Sequence, residues 1–583
     1  MGECAARSTP GPCMMPEAPH PPARRPWRRF FPFLAWPRPG RSTLQGEAMA
    51  GLTVGMMVIP QGVAYAALAG MPLVTGIYAS LLPALIAVLF SASTRLSVGP
   101  TALSCLLIAA SLSGMAEPGS PQWVNLAVWL ALLSGLLQVV LGLARFGWLL
   151  NVVSAPVLMG FTQAAAVLIL LSQLRDLLGL PADWHAAQLA QQVNPGAALF
   201  GIGSLVLLVL SRRLSPKLPA VVLVVLAAAA ISWAIGFEAT GGAVVGTLPA
   251  GMPQLYLPQW PGWQDFSRLL VPALVITLIS FLETASSAKV DSQKGGQRWD
   301  QDQDLIGQGL AKLASGLSGA FPTSSSFSRS ALNLYAGART GWATIASVVV
   351  VLAALVWFTP LLHPVPQAVL AAIVVAAVMG LVKPAAFVQL WRVSRVEAVT
   401  AGVTFGVTVL SAPALYWGVI AGLLMSLSHF LYQRLHPRII EIGLHPDGSL
   451  RDRHLWHLPP LAPRLCALRM DGGLDFASAN AFERAVLEHL AAHPDVRHVC
   501  VFALSINHID ATGVEMFGQL RKGLRERGIC LHIAGMKLPV ERVLLRAGQL
   551  PAAGSTPDPL LRLYRTDAEA LAALQHPSMQ KPA

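Results

Sequence analysis

Hydrophobic positions in the first three quarters of the chain form long continuous runs instead of alternating with polar positions. A helix needs about 20 apolar residues to cross the hydrocarbon layer of a membrane. Counted between polar or Pro/Gly breaks, the runs predict fourteen membrane segments. Their approximate spans are 47–68, 74–90, 98–113, 122–144, 148–172, 196–212, 217–236, 268–289, 304–321, 327–338, 341–362, 366–382, 396–412 and 415–434.

Two of these segments are too short to span a membrane. Residues 327–338 would form roughly 18 Å of helix. The segment 98–113 opens with Ser-Val-Gly-Pro (97–100), a sequence that begins a helix rather than continuing one. They are the third and tenth segments, so they occupy matching positions in two halves of seven. Interrupted segments in matching positions indicate an inverted-repeat transporter with a midplane substrate site. We expect the repeats at about 47–236 and 268–435.

The composition divides the chain into a membrane part and a soluble part. Of its 583 residues, 54% are hydrophobic and 12% charged. Charged residues number 29 of 389 between 47 and 435 but 32 of 148 from 436 onwards, a share normal for soluble domains. We therefore expect five parts: a basic N-terminal tail 1–46, a transmembrane domain 47–435, a linker 436–457, a soluble domain 458–570 and a C-terminal tail 571–583.

Basic residues in the predicted loops are distributed very unequally between the two sides of the membrane. Lys and Arg accumulate on the cytoplasmic side. One side holds only Arg175 and Arg268. The other holds thirteen, namely Arg95, Arg145, Arg212, Arg213, Lys217, Lys289, Lys294, Arg298, Arg339, Lys383, Arg392, Arg395 and Arg434. This predicts a multi-pass protein of the inner (plasma) membrane with both termini in the cytoplasm.

The two short segments predict an anion site. Two half-helices whose N-termini face each other expose unpaired N–H groups with partial positive charge, which favour anions. Arg329 lies in the first turn of the second half-helix, flanked by Ser326, Ser328 and Ser330. An ionisable group inside a membrane span is by default functional. The alternative is an arginine that snorkels to the membrane interface.

Two further positions are candidates for binding or coupling. Glu283 is the only acid that we place well inside a span, where it would carry a coupling proton or sodium ion. Its alternative is a structural ion pair with Lys312 or Arg329. Gln61 supplies an amide beside a Pro/Gly pair in segment one, although packing through the small residue Gly62 explains that sequence equally well.

Longer motifs resemble the SulP anion-permease family. They are residues 59–62 (IPQG), 69–72 (AGMP), 75–80 (TGIYAS), 97–102 (SVGPTA), 217–220 (KLPA), 305–311 (LIGQGLA), 321–322 (FP) and 327–333 (FSRSALN). The resemblance runs from about 45 to 550. It implies seven-plus-seven inverted repeats divided into core and gate subdomains, a midplane anion site and usually a homodimer.

The same resemblance implies roles for individual residues. It assigns to the anion site Gln61, Tyr65, Thr101, Ala102, Ser328 and Arg329. It assigns the coupling position to Glu283. The chain departs from the family at Lys312, where relatives usually carry an uncharged Asn. Cation coupling therefore stays open, because a second positive charge near Glu283 could replace a bound cation.

The soluble part alternates short β-rich runs with amphipathic helices. Residues 497–503 read as a buried strand, 513–527 as a helix and 529–534 as the next strand, which indicates an α/β sheet. Residues 510–513 (DATG) resemble the phosphorylatable loop of a STAS domain, with Thr512 at the acceptor position. The alternative, which we favour, is that Thr512 only caps the helix.

The sequence predicts secondary active transport of an inorganic oxyanion, with sulfate first, by proton-coupled symport and alternating access. Alternatives are a bicarbonate or dicarboxylate symporter, an anion exchanger and an uncoupled anion channel. A nucleobase permease resembles this architecture, but its neutral ligand gives no reason for Arg329. No nucleotide loop or nucleophile with its base is recognisable, so we do not expect an enzyme.

The expected partners are a small inorganic anion, a proton or sodium ion, membrane lipid and a second copy of the chain. The basic residues are spread along the chain, so the net charge of +12 does not indicate nucleic acid. Six cysteines lack CxxC spacing and predict neither a metal site nor a disulfide framework. No cofactor is expected.

The loop charges predict that residues 91–97, 289–303 and 383–395 face the cytoplasm and that 236–267 faces outward. Single cysteines introduced at Ser292 and Gly262 should therefore react with an impermeant maleimide from opposite sides of the membrane. Labelling of both positions from one side would contradict the fourteen-segment topology.

Overall fold

The computed structural model describes residues 31–36, 40–148, 153–181, 192–214, 219–249, 251–295, 299–551 and 558–575. Most of the predicted basic tail, and the end of the predicted C-terminal tail, lie outside these residues. The chain forms two compact units, residues 1–426 and 427–583.

The first unit is built almost entirely of helices. In the first half of the chain these are α1 (Arg41–Leu68), α2 (Val74–Tyr78), α3 (Leu82–Phe90), α4 (Ala102–Leu112), α5 (Pro121–Leu143), α6 (Ala155–Leu178), α7 (Pro195–Leu214) and α8 (Ala220–Ile235). In the second half they are α9 (Trp263–Gly295), α10 (Gln301–Leu317), α11 (Phe327–Tyr335), α12 (Trp342–Ala353), α13 (Gln367–Val378), α14 (Pro384–Val393), α15 (Arg395–Leu410) and α16 (Tyr416–Leu435). Two short strands, β1 (Val98–Gly99) and β2 (Ser324–Ser325), precede α4 and α11.

These helices depart from the predicted segments in two places. The second segment is divided into α2 and α3, and α14 is an additional helix in the stretch predicted as the loop 383–395. By length and composition, six helical stretches within the described residues could cross a membrane, and the others are shorter or less apolar. The six are Arg41–Leu68, Pro121–Leu143, Ala155–Leu178, Trp263–Lys289, Trp342–Leu362 and Gln367–Val393. The count of fourteen crossings stays a prediction.

Helix packing in the first unit repeats itself between the two halves of the chain. Helix α1 packs on α12, and the corresponding helices of the other half, α9 and α5, also pack together. In the same way α6 packs on α15, and its counterpart α13 packs on α7. One packed group contains α1, α5, α9 and α12 together with α3, α4, α10 and α11. A second group contains α6, α7, α13 and α15. This is the arrangement expected of two related repeats that contribute to two subdomains.

Glycines allow the closest helix contacts. A Cβ atom at Gly309 of α10 would lie 2.7 Å from the carbonyl oxygen of Gly135 in α5, and one at Gly62 would lie 2.7 Å from that of Gly76. Both carbonyl oxygens are backbone atoms, which cannot move aside as a flexible side chain can. The packing interpretation of Gly62 is therefore confirmed, since small residues let helix backbones approach closely.

Two buried carboxylates of the first unit are paired with hydrogen-bond donors near the starts of helices. Glu47 accepts backbone N–H bonds from Arg339, Thr340 and Ala343 at 2.9–3.0 Å, at the beginning of α12. Asp304, fully buried in the first turn of α10, accepts hydrogen bonds from Ser93 and the indole of Trp299. Since each carboxylate is satisfied by donors, both serve the fold.

The second unit is a six-stranded sheet with helices. Its strands are β3 (Arg438–Leu444), β4 (Leu450–Asp452), β5 (Leu465–Asp471), β6 (His498–Phe502), β7 (Cys530–Ala534) and β8 (Leu561–Tyr564). Its helices are α17 (Ala479–Ala492), α18 (Ala511–Glu526), α19 (Leu538–Arg546) and α20 (Asp567–Leu574). The strand order is β4-β3-β5-β6-β7-β8, in which β5 to β8 are parallel and β3 and β4 antiparallel.

The sheet begins earlier in the chain than the sequence predicted. Residues 436–457, expected to be a linker, contain β3 and β4, and α20 extends beyond the expected boundary at 570. Strand β3 alternates buried Ile440 and Ile442 with the less buried Glu441. The strand was not recognised because only one of its faces is apolar and the region around it is rich in charged residues.

The start of α18 corrects another expectation. Asp510 is the N-cap residue, and its carboxylate accepts a hydrogen bond from the backbone N–H of Gly513 at 2.8 Å. Thr512 lies inside the first turn and is exposed. The favoured prediction that Thr512 caps the helix is therefore wrong, because the aspartate two residues earlier occupies the cap position.

The contact between Gly309 and Gly135 yields a stability prediction. Replacement of Gly309 by Ala places a methyl group against backbone and should destabilise the protein by about 1–3 kcal/mol, a typical cost of overpacking. Gly203→Ala in α7 is the matched control, because a Cβ there meets nothing within 4 Å. Thermal unfolding in detergent should show a lower midpoint for the first variant alone. Equal midpoints would mean that α5 and α10 can separate without loss.

Candidate functional site

The two short strands bring together segments that are more than 200 residues apart. Val98 pairs with Ser325 and Gly99 with Ser324 in antiparallel register. The pairing continues where the backbone N–H of Ser326 donates to the carbonyl oxygen of Ser97 at 3.0 Å. Because α4 and α11 begin directly after these strands, their N-termini are fixed beside the same two-stranded element.

Each half-helix is capped by a hydroxyl residue. Thr101 accepts a hydrogen bond from the N–H of Ser104 at the start of α4, and Ser326 accepts one from the N–H of Arg329 at the start of α11. Ala102, the first residue of α4, is buried, whereas Ser328 is exposed. The N–H groups of both first turns carry the partial positive charge of a helix N-terminus.

Arg329 connects the two half-helices. Its side chain is only 1% exposed. Its Nη1 donates to the carbonyl oxygen of Pro100 at 2.9 Å, and its Nε donates to Ser97 Oγ at 3.4 Å. The side chain runs inward to the start of α4, which argues against snorkelling.

One nitrogen of this guanidinium remains available to a ligand. Within the described part of the chain, Nη2 of Arg329 is buried and has no hydrogen-bond acceptor. A Cβ at Gly99 would lie 3.2 Å from that atom, so any larger residue would crowd it. Leaving a charged donor unpaired in a buried position is costly. The arrangement is suited to an anion that supplies the missing acceptor.

Glu283 of α9 contacts the cap of the first half-helix. Its Oε2 accepts a hydrogen bond from Thr101 Oγ1 at 3.1 Å, and the hydroxyl of Ser324 is also within hydrogen-bond reach. Within the described residues, no ion pair joins Glu283 to Lys312 or Arg329. The structural ion pair considered as an alternative is therefore not formed, although both cations are near enough to act on the carboxylate electrostatically.

Lys312 is held in a polar network that sequence reasoning missed. Its ammonium group is fully buried and donates to Gln138 Oε1 and Ser280 Oγ, both at 2.7 Å. Gln138 in turn donates to the carbonyl oxygen of Thr277 at 3.1 Å. An amide side chain inside the apolar run of α5 was a signal that could have indicated this network. The network joins residues of three helices, α5, α9 and α10, which the linear sequence does not connect.

The two predicted site residues of α1, Gln61 and Tyr65, lie on a helix that packs against both half-helices. Tyr65 is buried and close enough to Arg329 to interact with it electrostatically. Gln61 is buried on the same helix, and its Oε1 has no hydrogen-bond partner within the residues that the structure describes. Because α1 packs against both α4 and α11, it can form one wall of the site.

Comparison with known proteins identifies the family. Residues 44–404 match the sulfate permease family, and residues 460–560 match the STAS domain. The chain belongs to the sulfate permease family. It is 31% identical to "Probable sulfate transporter 4.2" of Arabidopsis thaliana over 553 residues, which cover 89% of this chain and 80% of that protein.

A bacterial relative and a solved structure agree with this assignment. The chain is 31% identical to a probable sulfate transporter of Mycobacterium tuberculosis, over 88% of this chain and 93% of that one. It superposes on the structure of SLC26A9 with a TM-score of 0.83 at 18% identity, covering 94% of this chain and 93% of the other. The resemblance to the SulP family is thus confirmed, as is the fold of a helical membrane domain followed by an α/β STAS domain. The roles of the individual site residues stay predictions.

The unpaired nitrogen of Arg329 leads to a binding prediction. Arg329→Gln should weaken sulfate binding by about tenfold or more, because a charged hydrogen bond contributes about 1.5–3 kcal/mol. Arg339→Gln is the matched control, since Arg339 is exposed in the loop after α11. Binding of labelled sulfate to purified protein measures the effect. An Arg329 variant that folds and binds as tightly as wild type would place the anion elsewhere.

Proposed function

We propose that this protein is a secondary active transporter that imports an inorganic oxyanion, with sulfate as the first candidate, by proton-coupled symport and alternating access. The observation that carries the proposal is the buried Arg329 Nη2, which has no acceptor among the described residues and lies beside the N-termini of α4 and α11. Named sulfate transporters among the relatives support the choice of anion.

An oxyanion matches the donors of this site. Several oxygens can accept hydrogen bonds together from Nη2 of Arg329, the exposed hydroxyl of Ser328 and the first-turn N–H groups of both half-helices. A neutral nucleobase would leave the charge of Arg329 without a counterpart. A nucleobase permease is therefore a weaker interpretation than an oxyanion transporter.

The position of Glu283 supports a link between protonation and anion binding. Its carboxylate is hydrogen-bonded to Thr101, the residue that caps α4. A proton on Glu283 would change the charge next to that cap and so favour an anion in the site. Sodium is the less suitable driver, because Lys312 is already held nearby by two neutral acceptors and repels a second cation.

The work of moving an anion against the membrane potential depends on its charge, so the identity of the anion must be tested. Moving a dianion into a cell at about −100 mV costs roughly 4.6 kcal/mol, from about 2.3 kcal/mol per charge. One proton offsets half of this, whereas a monovalent anion such as bicarbonate would be balanced fully. Bicarbonate or dicarboxylate symport, anion exchange and an uncoupled channel are therefore the alternatives that uptake measurements must separate.

The remaining predictions concern membrane placement and assembly. The loop charges support a multi-pass inner-membrane protein with cytoplasmic termini, surrounded by lipid. We also propose a homodimer, as the family resemblance implies. No part of this placement depends on the chemistry of the anion site.

The STAS domain supports a regulatory role. Thr512 is exposed in the first turn of α18. A phosphate added there would meet the positive end of the helix, an electrostatically favourable position. We therefore retain Thr512 as a proposed phosphorylation site that modulates transport without selecting the anion.

The coupling proposal predicts the behaviour of Glu283→Gln, which mimics the protonated acid permanently. The variant should still bind sulfate but lose accumulation driven by a pH gradient. Glu397→Gln is the matched control, because Glu397 is exposed at the start of α15. The measurement is uptake of labelled sulfate, bicarbonate and succinate into proteoliposomes under separate proton and sodium gradients.

Each result of that experiment has a defined meaning. Loss of sodium-stimulated uptake in place of proton-driven uptake would transfer the coupling role to sodium. Accumulation equal to wild type under both gradients would remove Glu283 from coupling. Failure of wild type to accumulate any anion under either gradient would favour an exchanger or a channel.

A further inference from the structure

Three side chains able to bind a metal meet in the STAS domain. They are His498 on β6 and Cys530 and His532 on β7, and their ligand atoms all lie within 4.8 Å of one another. This cluster belongs to the second unit and shares no residue with the anion site. Metal binding by the cluster is therefore independent of the transport mechanism.

The parallel register of β6 and β7 creates the cluster. His498 pairs with Cys530, and Cys500 pairs with His532. Side chains two residues apart on a strand project from the same face. Cys530 and His532 therefore share a face of β7, and His498 projects from the same face of the neighbouring strand.

The two histidine nitrogens are separated by nearly the distance found between two ligands of one zinc ion. His498 Nδ1 lies 3.1 Å from His532 Nε2. Two nitrogens bound tetrahedrally to zinc, at about 2.0–2.1 Å each, lie about 3.3 Å apart. Small adjustments of the side chains would therefore suffice to admit the ion. Without a metal, the same two nitrogens share a hydrogen bond.

A fourth residue orients the buried histidine. The hydroxyl of Tyr564 lies 3.1 Å from His532 Nδ1, which directs the other ring nitrogen towards His498. Metal-binding histidines commonly use their second nitrogen in this way. His532 is fully buried and Cys530 nearly so, whereas His498 is partly exposed and leaves a route for the ion.

The local charges do not exclude a cation. Arg562 is near the histidines but is exposed, so solvent screens its charge. Asp558, near Cys530, forms an ion pair with Arg521 at 2.6 Å. Burial raises the pKa of the Cys530 thiol, so a metal must displace its proton and should bind less tightly as the pH falls.

We propose that His498, Cys530 and His532 form a zinc site of two imidazole nitrogens and one thiolate, with a fourth position open to water. Borderline-soft ligands of this kind suit Zn²⁺ rather than Mg²⁺ or Ca²⁺. A bound ion would join β6 to β7 through side chains as well as through the backbone. It would connect the STAS domain to zinc availability.

Cobalt is the probe that tests the site in the full-length protein. After metal removal in detergent, Co²⁺ should produce the visible bands of a tetrahedral ion and a near-ultraviolet thiolate-to-cobalt band, and Zn²⁺ should remove both. Cys530→Ser should abolish the thiolate band. Cys500→Ser, at the adjacent buried position on the same face of β6, should retain it.

Two further variants separate metal binding from a loss of folding. His498→Gln changes a partly exposed residue and should weaken Zn²⁺ binding. Tyr564→Phe should retain the thiolate band but weaken Zn²⁺ binding about tenfold or more, as expected for a residue that orients a ligand. A wild-type protein without the thiolate band, or one whose spectrum is unchanged by Cys530→Ser, would overturn the proposal and leave a hydrogen-bonded histidine pair.

Discussion

The transporter domain depends on a very short piece of β structure. Two residue pairs, Val98 with Ser325 and Gly99 with Ser324, fix the starts of two half-helices beside each other. Arg329 then crosses from one half-helix to the backbone before the other, at Pro100. If this pairing were lost, α4 and α11 would have no common register, and neither the two helix dipoles nor the guanidinium would converge on one ligand.

The charges around that element are arranged for different tasks. Two nitrogens of Arg329 have protein acceptors, whereas its Nη2 has none among the described residues. Lys312 is fully buried, and its ammonium group donates hydrogen bonds to Gln138 and Ser280. Glu283 contacts hydroxyl groups but forms no ion pair within the described residues. A proton added to this carboxylate would therefore break no ion pair with the described residues.

The sequence indicated the family well, and it drew attention to the residues around the two half-helices. Long apolar runs and the motifs at 59–62 and 327–333 depend only on neighbouring residues, so they are legible without a structure. The same holds for Arg329, which stands in an interrupted segment after a serine-rich stretch. Errors arose where the informative neighbours are distant or one face is charged. The strand β3 was taken for a linker, and the cap of α18 was assigned to Thr512 when Asp510 forms it.

The sequence by itself determined the two-part organisation, the family and the identity of the residues around the half-helices, because hydrophobicity, charge and motifs are local properties of the chain. Only the tertiary structure decided which polar groups meet. It joined Lys312 to Gln138, turned Glu283 towards Thr101, and placed His498 beside His532 across parallel strands. These contacts depend on helix packing and strand register, which arise from many weak interactions spread over the chain and which no short stretch of sequence specifies.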